Sequence, residues 1–407
     1  MKKIIKFAAL VCLFFSGAVF SLIIYGNEAL PDEVMTMTEK VKFSAIYSAE
    51  LDYDNLTPAF NGEEELQTSK SDIRLFGAIP VKNISISKAP RKYLAAGGDI
   101  IGIKLKTDGV LIIGTESFES YDGNVNPAET AGIKVGDTLI SADGKKISDN
   151  DDLGKIISSS EGKAMTLRLK RNNTEFETTL IPHKSTLTDM YKGGLWVRDS
   201  TGGIGTLTFA DLTTGLVGAL GHGIYDVDTR GLMPTESGNL MSATLSGVSK
   251  GCNGTAGELR GSIGTDVYGQ IFLNHDNGIF GSVNYFDMDR ELYPVATINE
   301  IHQGEAQIIS TITGNRKEFF DIEIEKVYSG NENKNMIIKI TDEDLLAVTG
   351  GIVQGMSGSP IIQDGMLVGA VTHVFLNDPT RGYGIFIENM LNTANQYSAE
   401  INGQNAA

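Results

Sequence analysis

An almost unbroken apolar run from Ile4 to Tyr25, interrupted by Lys6 and preceded by Lys2-Lys3, opens the chain. Roughly 19 residues follow Lys6, near the length a helix needs to cross a bilayer and longer than a usual signal-peptide core. The lysines before it favour the cytoplasmic side and put the rest of the chain outside. Ser16-Gly17-Ala18 is small enough to offer signal peptidase an alternative, so residues 1–26 are expected as a signal anchor, with cleavage the second reading. Residues 27–93 lose this pattern. Acidic and polar clusters such as Glu63-Glu64-Glu65 dominate, one strand is expected over 43–51, and the rest reads as a tether.

Short strand and helix signals then return. Ile101-Gly102-Ile103-Lys104-Leu105 is an apolar–Gly–apolar loop leading into a strand, and Gly109–Gly114 is a second strand. Asn126–Ile140 predicts a short helix ended by Gly132, a turn at Gly136-Asp137, and a strand running to the Asp143-Gly144 turn. Asp149–Ser159 reads as a helix, and Ala164–Lys170 with Glu175–Ile181 as a hairpin. Beyond Ser185, short apolar runs alternate with glycine turns, as in Gly205–Ala210, Gly269–Leu273, Gly278–Tyr285, Gln307–Ile312, Met336–Ile340 and Ile361–His373. That spacing predicts antiparallel β structure, a sandwich or a barrel.

Composition narrows the function. The 47 glycines and 41% hydrophobic content suit a turn-rich globular β protein, and 407 residues suit two folded domains with additions. A net charge of −17 would repel nucleic acid. Two cysteines, Cys12 and Cys252, allow neither a disulfide framework nor a cysteine metal site. No His-Glu-x-x-His run supports a metallopeptidase, and no cofactor is expected.

The candidate chemistry centres on Gly350-Gly351-Ile352-Val353-Gln354-Gly355-Met356-Ser357-Gly358-Ser359-Pro360. A serine between close glycines can sit on a tight turn with backbone N–H groups converging on an oxyanion; Gly355 and Ser357 are the expected donors. The stretch resembles the nucleophile turn of chymotrypsin-like peptidases. Of the five histidines, His222 is the best base, because it lies between glycines in Leu216–Ile224. His373 reads as a wall of the pocket, and His183, His275 and His302 as surface. The imidazole needs an orienting partner. Asp342 closes the strand Met336–Thr341 and precedes the serine by 15 residues. Asp226 and Asp228 lie nearer His222, in a loop that reads as solvated. The order His222, Asp342, Ser357 is that of chymotrypsin, but the spacing is not.

Two resemblances extend this reading. Residues 94–184 resemble a PDZ domain through Pro127-Ala128, Ala131-Gly132-Ile133, Gly136-Asp137 and Leu139-Ile140. Such domains take an extended peptide as an added strand. The resemblance implies a groove lined by Ile101, Gly102, Ile103, Lys104 and Leu105, with Leu153 and Ile157 opposite. The segments Val197–Phe209, Gly221-His222-Gly223, Thr349–Pro360, Gly369–Thr380 and Gly382-Tyr383-Gly384-Ile385 resemble the stage IV sporulation protein B peptidases.

That likeness implies a mainly β chain: anchor, tether, PDZ domain, then a chymotrypsin-like β-barrel peptidase over 185–400 with His222, Asp342 and Ser357 as its triad. It further implies secretion from the forespore into the space between the spore membranes. There such enzymes cut themselves near the N-terminus and cut a membrane protein that inhibits an intramembrane protease, which activates a late mother-cell sigma factor. A PDZ ligand, its own tether among the candidates, and the membrane through residues 4–25 complete the expected partners. The rival reading is a PDZ scaffold carrying an idle peptidase-like domain.

Overall fold

The computed structural model describes residues 2–36, 40–44, 46–52, 55–61, 64–88, 90–172, 174–283, 290–328 and 333–405. The chain divides into two compact units, one of residues 1–92 with 296–301, the other of 93–295 with 302–407.

The first unit corrects the expectation of a tether. Helix α1 (Lys2–Ala29) leads into strands β1 (Glu33–Thr36), β2 (Lys40–Lys42), β3 (Tyr47–Glu50), β4 (Thr57–Asn61), β5 (Glu64–Leu75) and β6 (Ile79–Lys88), which form one six-stranded sheet. Residues two apart share one face of a strand. Ile73 and Leu75 on β5, Ile84 and Ile86 on β6, and Tyr47 and Ala49 on β3 therefore bury together. The last turns of α1 pack on this core through Val19, Leu22 and Ile23, and Tyr47 Oη donates to the Leu22 carbonyl at 2.6 Å. Farther toward the N-terminus Phe7, Leu10, Leu13, Phe14 and Phe15 are exposed. The span Leu10–Ala29 is long and apolar enough to cross a membrane, which suits an anchor or a signal sequence.

In the second unit, β7 (Tyr93–Ala96) and the 16-residue β8 (Ile100–Thr115) precede a compact insertion. The insertion comprises β9 (Phe118–Ser120), β10 (Gly123–Val125), α2 (Pro127–Thr130), β11 (Thr138–Ala142), β12 (Lys145–Lys146), α3 (Asn150–Ser158), β13 (Met165–Arg171), β14 (Thr174–Leu180), β15 (His183–Lys184) and β16 (Tyr191–Lys192). Its core holds Val110, Ile112, Leu139, Leu153, Ile157, Leu167 and Leu169. Then follow β17 (Leu195–Ala210), β18 (Leu216–Ala219), β19 (Ser237–Ser249), β20 (Glu258–His275) and β21 (Gly278–Val283). Strand β8 pairs with β17 on one edge and β19 on the other, so β8, β19, β20, β21, β18 and β17 close into a ring. This is the first barrel, with Ile101, Ile103, Leu105, Leu207, Val217, Leu240 and Ile271 inside.

After β22 (Leu292–Pro294) comes a second closed barrel. It consists of β23 (Gly304–Thr313), β24 (Arg316–Val327), β25 (Met336–Ile340), β26 (Pro360–Gln363), β27 (Met366–Phe375) and β28 (Asp378–Phe386). Helix α4 (Glu343–Thr349) follows β25, and α5 (Ile387–Asn405) packs Met390, Leu391 and Ala394 against Leu94, Phe209, Phe280, Ile309 and Ile385. One shared cluster therefore joins the two barrels. The PDZ-like insertion sits between β8 and β17, inside the first barrel's sequence, so 94–107 belongs with the peptidase fold rather than with a preceding domain.

Candidate active site

Ser357 and His222 line one cleft of about 500 Å³, together with Thr201–Ile204, Gly223, Gly355, Thr372 and His373. His222 arrives on the turn after β18. Leu220 and Gly221 both have positive φ, 67° and 68°, which swings the chain off the strand and turns the imidazole into the cleft. A Cβ on Gly221 would lie 2.9 Å from the side chains of Thr372 and Ile385, so glycine lets this turn pack against the second barrel. Ser357 sits between Gly355 at φ 97° and Gly358 at φ 96°.

Two threonines of β17 fasten the serine loop to the first barrel. Thr206 Oγ1 donates to the Gly355 carbonyl at 2.7 Å, Thr206 N to the Ser357 carbonyl at 3.1 Å, and Thr208 Oγ1 to the Gly358 carbonyl at 2.9 Å. The backbone N–H groups of Gly355 and Ser357 have no acceptor among the described residues, although both residues line the cleft. The Ser357 hydroxyl donates to the Thr372 carbonyl at 2.6 Å, a resting geometry from which it must rotate to reach a base.

His222 Nδ1 lies 2.8 Å from the Gly223 carbonyl. A carbonyl only accepts, so Nδ1 carries the proton and Nε2 keeps its lone pair. Desolvation pushes the His222 pKa down, and the bond to Gly223 offsets part of that fall. The neutral, proton-accepting ring is thus favoured at neutral pH. The His373 ring is tilted beside it, centroids 4.8 Å apart. Desolvation, then His222 and Lys334, lower His373 to about 4, although the residue as a whole is exposed.

Asp342, expected as the orienting carboxylate, stands elsewhere. It is the N-cap of α4: Oδ1 accepts from Leu345 N at 2.8 Å and Oδ2 from Asp321 N at 3.3 Å. It does not line the cleft. A residue that ends a strand and precedes a helix has local N–H groups to satisfy, and its carboxylate is spent on them. Asp226 is a second correction. It is buried rather than solvated, ion-paired with Arg198 of β17, and accepts from Asp228 N and Thr229 N.

The expected groove is corrected too. Ile101, Gly102, Ile103, Lys104 and Leu105 lie in β8 where both edges are already paired, and no peptide can add there. Ile101, Ile103 and Leu105 are core of the first barrel. Leu153 and Ile157 do face a groove, of about 400 Å³, but its opposite wall is Gly193–Val197. Along 195–198 strand β17 pairs with β8 on one edge and has no strand on the other among the described residues.

Residues 189–391 match the family model for SpoIVB peptidase S55. Over that segment the chain belongs to the SpoIVB peptidase S55 family. Residues 126–171 match a PDZ domain. The S55 peptidase segment contains Ser357, His222, both threonine fasteners and all of the second barrel. Strand β8, which closes the first barrel, lies outside both matched segments. Among the described residues no group of three or more His, Cys, Asp or Glu side chains is placed to hold a metal ion.

Sequence reasoning passed over Thr206, Thr208 and Arg198. One signal was present: Thr206-Leu207-Thr208-Phe209 puts hydroxyls two apart in an apolar strand, and a buried hydroxyl needs an acceptor. Thr208 is fully buried.

Proposed function

We propose that this S55 peptidase is a serine endopeptidase working by acyl transfer, with Ser357 as nucleophile and His222 as base. The observation that carries the reading is the shared cleft. A loop from each barrel delivers one group to it, and Thr206 and Thr208 fasten the serine loop to the strand that forms its other wall. His222 Nε2 takes the Ser357 proton as the hydroxyl leaves Thr372 and attacks a peptide carbonyl, then passes it to the leaving amine. Water repeats the cycle on the acyl-enzyme. The free N–H groups of Gly355 and Ser357 suit the oxyanion, worth on the order of 3 kcal/mol each.

The family resemblance suggests the setting: tethered by α1, outside the cytoplasm, in the space between the spore membranes. The substrates are its own N-terminal region and a membrane protein that restrains an intramembrane protease, upstream of a late sigma factor. The groove between α3 and β17 suits an extended peptide added to the free edge of 195–198. The test expresses residues from about 27 onward beside Ser357→Ala and follows N-terminal fragments by intact mass. Fragments from the parent alone support the reading. Equal trimming in both, or a Ser357→Ala protein that still cuts, sinks it. A fluorophosphonate probe that labels the parent at Ser357 and spares the variant reports the nucleophile without a substrate.

A further inference from the structure

The serine loop is held from a second side, by the tip of the hairpin that joins β19 to β20. Glu258 makes a parallel bridge with Gln354: Gln354 N donates to the Gly257 carbonyl at 2.9 Å, and Leu259 N donates to the Gln354 carbonyl at 2.8 Å. That carbonyl and the N–H of Gly355 belong to one planar trans peptide, so they point in opposite directions and fixing one fixes the other. Leu259 is buried, and a buried N–H needs an acceptor. The tip itself is anchored on the second barrel's side: Lys250 Nζ donates to the Ala347 carbonyl at 3.0 Å, Gly251 N to the Thr349 carbonyl at 2.8 Å, and Gly254 N to the Leu376 carbonyl at 2.7 Å.

We infer that Leu259 is the positioning residue for the oxyanion donor at Gly355, acting through its backbone N–H on the Gln354–Gly355 peptide. The need for it follows from the glycine. Gly355 has φ 97°, and glycine takes positive and negative φ about equally well, so this peptide plane has little intrinsic preference for either face. Turned over, the plane would withdraw the Gly355 N–H from the cleft, put the Gln354 carbonyl in its place, and strand the buried Leu259 N–H. A carbonyl facing a developing oxyanion repels it. On the other side of Gly355, Thr206 Oγ1 holds the Gly355 carbonyl, so the first barrel fixes both peptide planes of the residue that supplies the donor. A stiffer residue cannot replace the glycine: its Cβ would lie 3.0 Å from the Leu259 Cβ, at a φ that side chains rarely adopt.

This inference rests on Ser357 being the nucleophile, and the experiment separates the two. Nonsense suppression replaces Leu259 by its α-hydroxy analogue, which keeps the side chain and turns the N–H into an ester oxygen. Gly254 is replaced in the same way, as a control that loosens the tip without touching the Gln354 peptide. Turnover of a quenched peptide built on the protein's own N-terminal cut, the rate of phosphonylation by a fluorophosphonate, and urea midpoints are measured beside the parent and Ser357→Ala. The Leu259 ester should lower kcat and the phosphonylation rate together by about 100-fold with KM nearly unchanged, the size of losing one oxyanion donor. The Gly254 ester should lose comparable stability and stay within about threefold of the parent in both rates, as for one hydrogen bond outside the site. A Leu259 ester with parental rates, or two esters that lose activity alike, overturns the inference.

Should the Leu259 ester not fold, amide hydrogen exchange in the parent decides the matter. The Leu259 N–H should exchange slowly in the free enzyme, and the Gly355 N–H fast there but slowly once Ser357 is phosphonylated. A fast Leu259 N–H, or a Gly355 N–H that the adduct leaves fast, overturns the inference. A Ser357→Ala protein that still cuts would sink the nucleophile assignment itself. An inactive one, beside a Leu259 ester with parental rates, would sink the positioning role alone.

Discussion

The two barrels have the same number of strands and are built in opposite ways. The second takes all six of its strands from one stretch, Gly304 to Phe386, with no domain inserted among them: β23, β24 and β25 pair in sequence, as do β26, β27 and β28, and the pairs β25–β28 and β23–β26 close the ring. The first takes one strand, β8, from before a PDZ-like insertion of about 80 residues and the other five from after it. Loop closure of that size costs little beyond a short loop, because the entropy grows only with the logarithm of length. The gain is mechanical continuity. Strand β17 forms the wall of the PDZ-like groove at 195–197, holds the loop after His222 through Arg198, lines the cleft at 201–204, and fastens the serine loop at 206 and 208. The contiguous barrel presents Ser357. The interrupted barrel holds both His222 and the threonine fasteners.

The sharpest way to break this division is where the serine loop packs on β17. A Cβ on Gly358 would lie 2.1 Å from the Thr206 carbonyl and 2.5 Å from Leu220 N, at a φ that side chains rarely adopt. Gly358→Ala should abolish cleavage and cost at least about 3 kcal/mol in a urea titration, since backbone on both sides must shift.

Next comes the link from β17 to the loop after His222. Burial alone would raise the Asp226 carboxyl; the N–H of Thr229 and the Arg198 guanidinium outweigh it, leaving the pKa low. Arg198→Met strands a buried carboxylate and should cost about 3 kcal/mol near neutral pH. The sign with pH is fixed by the depressed pKa. The Asp226 contribution is present above the ordinary carboxylate range and lost as pH falls through the lowered value. The stability gap between parent and variant should therefore narrow in acid, and urea midpoints at pH 7 and pH 3 check it.

Thr206→Val keeps the shape of the strand and deletes the bond to the Gly355 carbonyl. A loss of about 1 kcal/mol in stability and about tenfold in kcat is expected, with Ser restoring most of both. If kcat is untouched while stability falls, the fastener holds the fold and not the site.

The smallest effect is a pH slope. Both cleft histidines have lowered pKa values, His373 to about 4, so the folded state binds fewer protons than the unfolded chain below the ordinary histidine value of 6.5. Stability should decline as pH falls from 6.5 toward 4, and the acid limb of kcat should lie below 6.5. His373→Gln should flatten part of the stability slope, read by thermal melts across that range.

Much of the site was legible in the chain. Glycines around Ser357 and His222 announced turns that only glycine permits, and both turns face the cleft. Gly221 also lets its turn pack closely against Thr372 and Ile385. Leu153 and Ile157 were placed on a groove by the PDZ resemblance, and they do face one. A position before the serine turn says nothing of direction: the Asp342 carboxylate rests on the N–H groups of Leu345 and Asp321 nearest to it.

By itself, then, the sequence determined what local geometry dictates: an apolar N-terminal helix, mainly β structure, the two turns that present serine and histidine, and the PDZ-like helices. The tertiary structure decided what depends on partners far along the chain. It gave Ile101, Ile103 and Leu105 to a barrel core instead of a groove, made a sheet of residues expected as a tether, and put Asp342 at the cap of α4, away from the lining of the cleft that holds His222 and Ser357. The physical reason is common to all three. A strand's period shows which side chains share a face, but which segment satisfies its edges, and which buried amide meets which peptide, is settled only when distant backbone donors and acceptors are brought together.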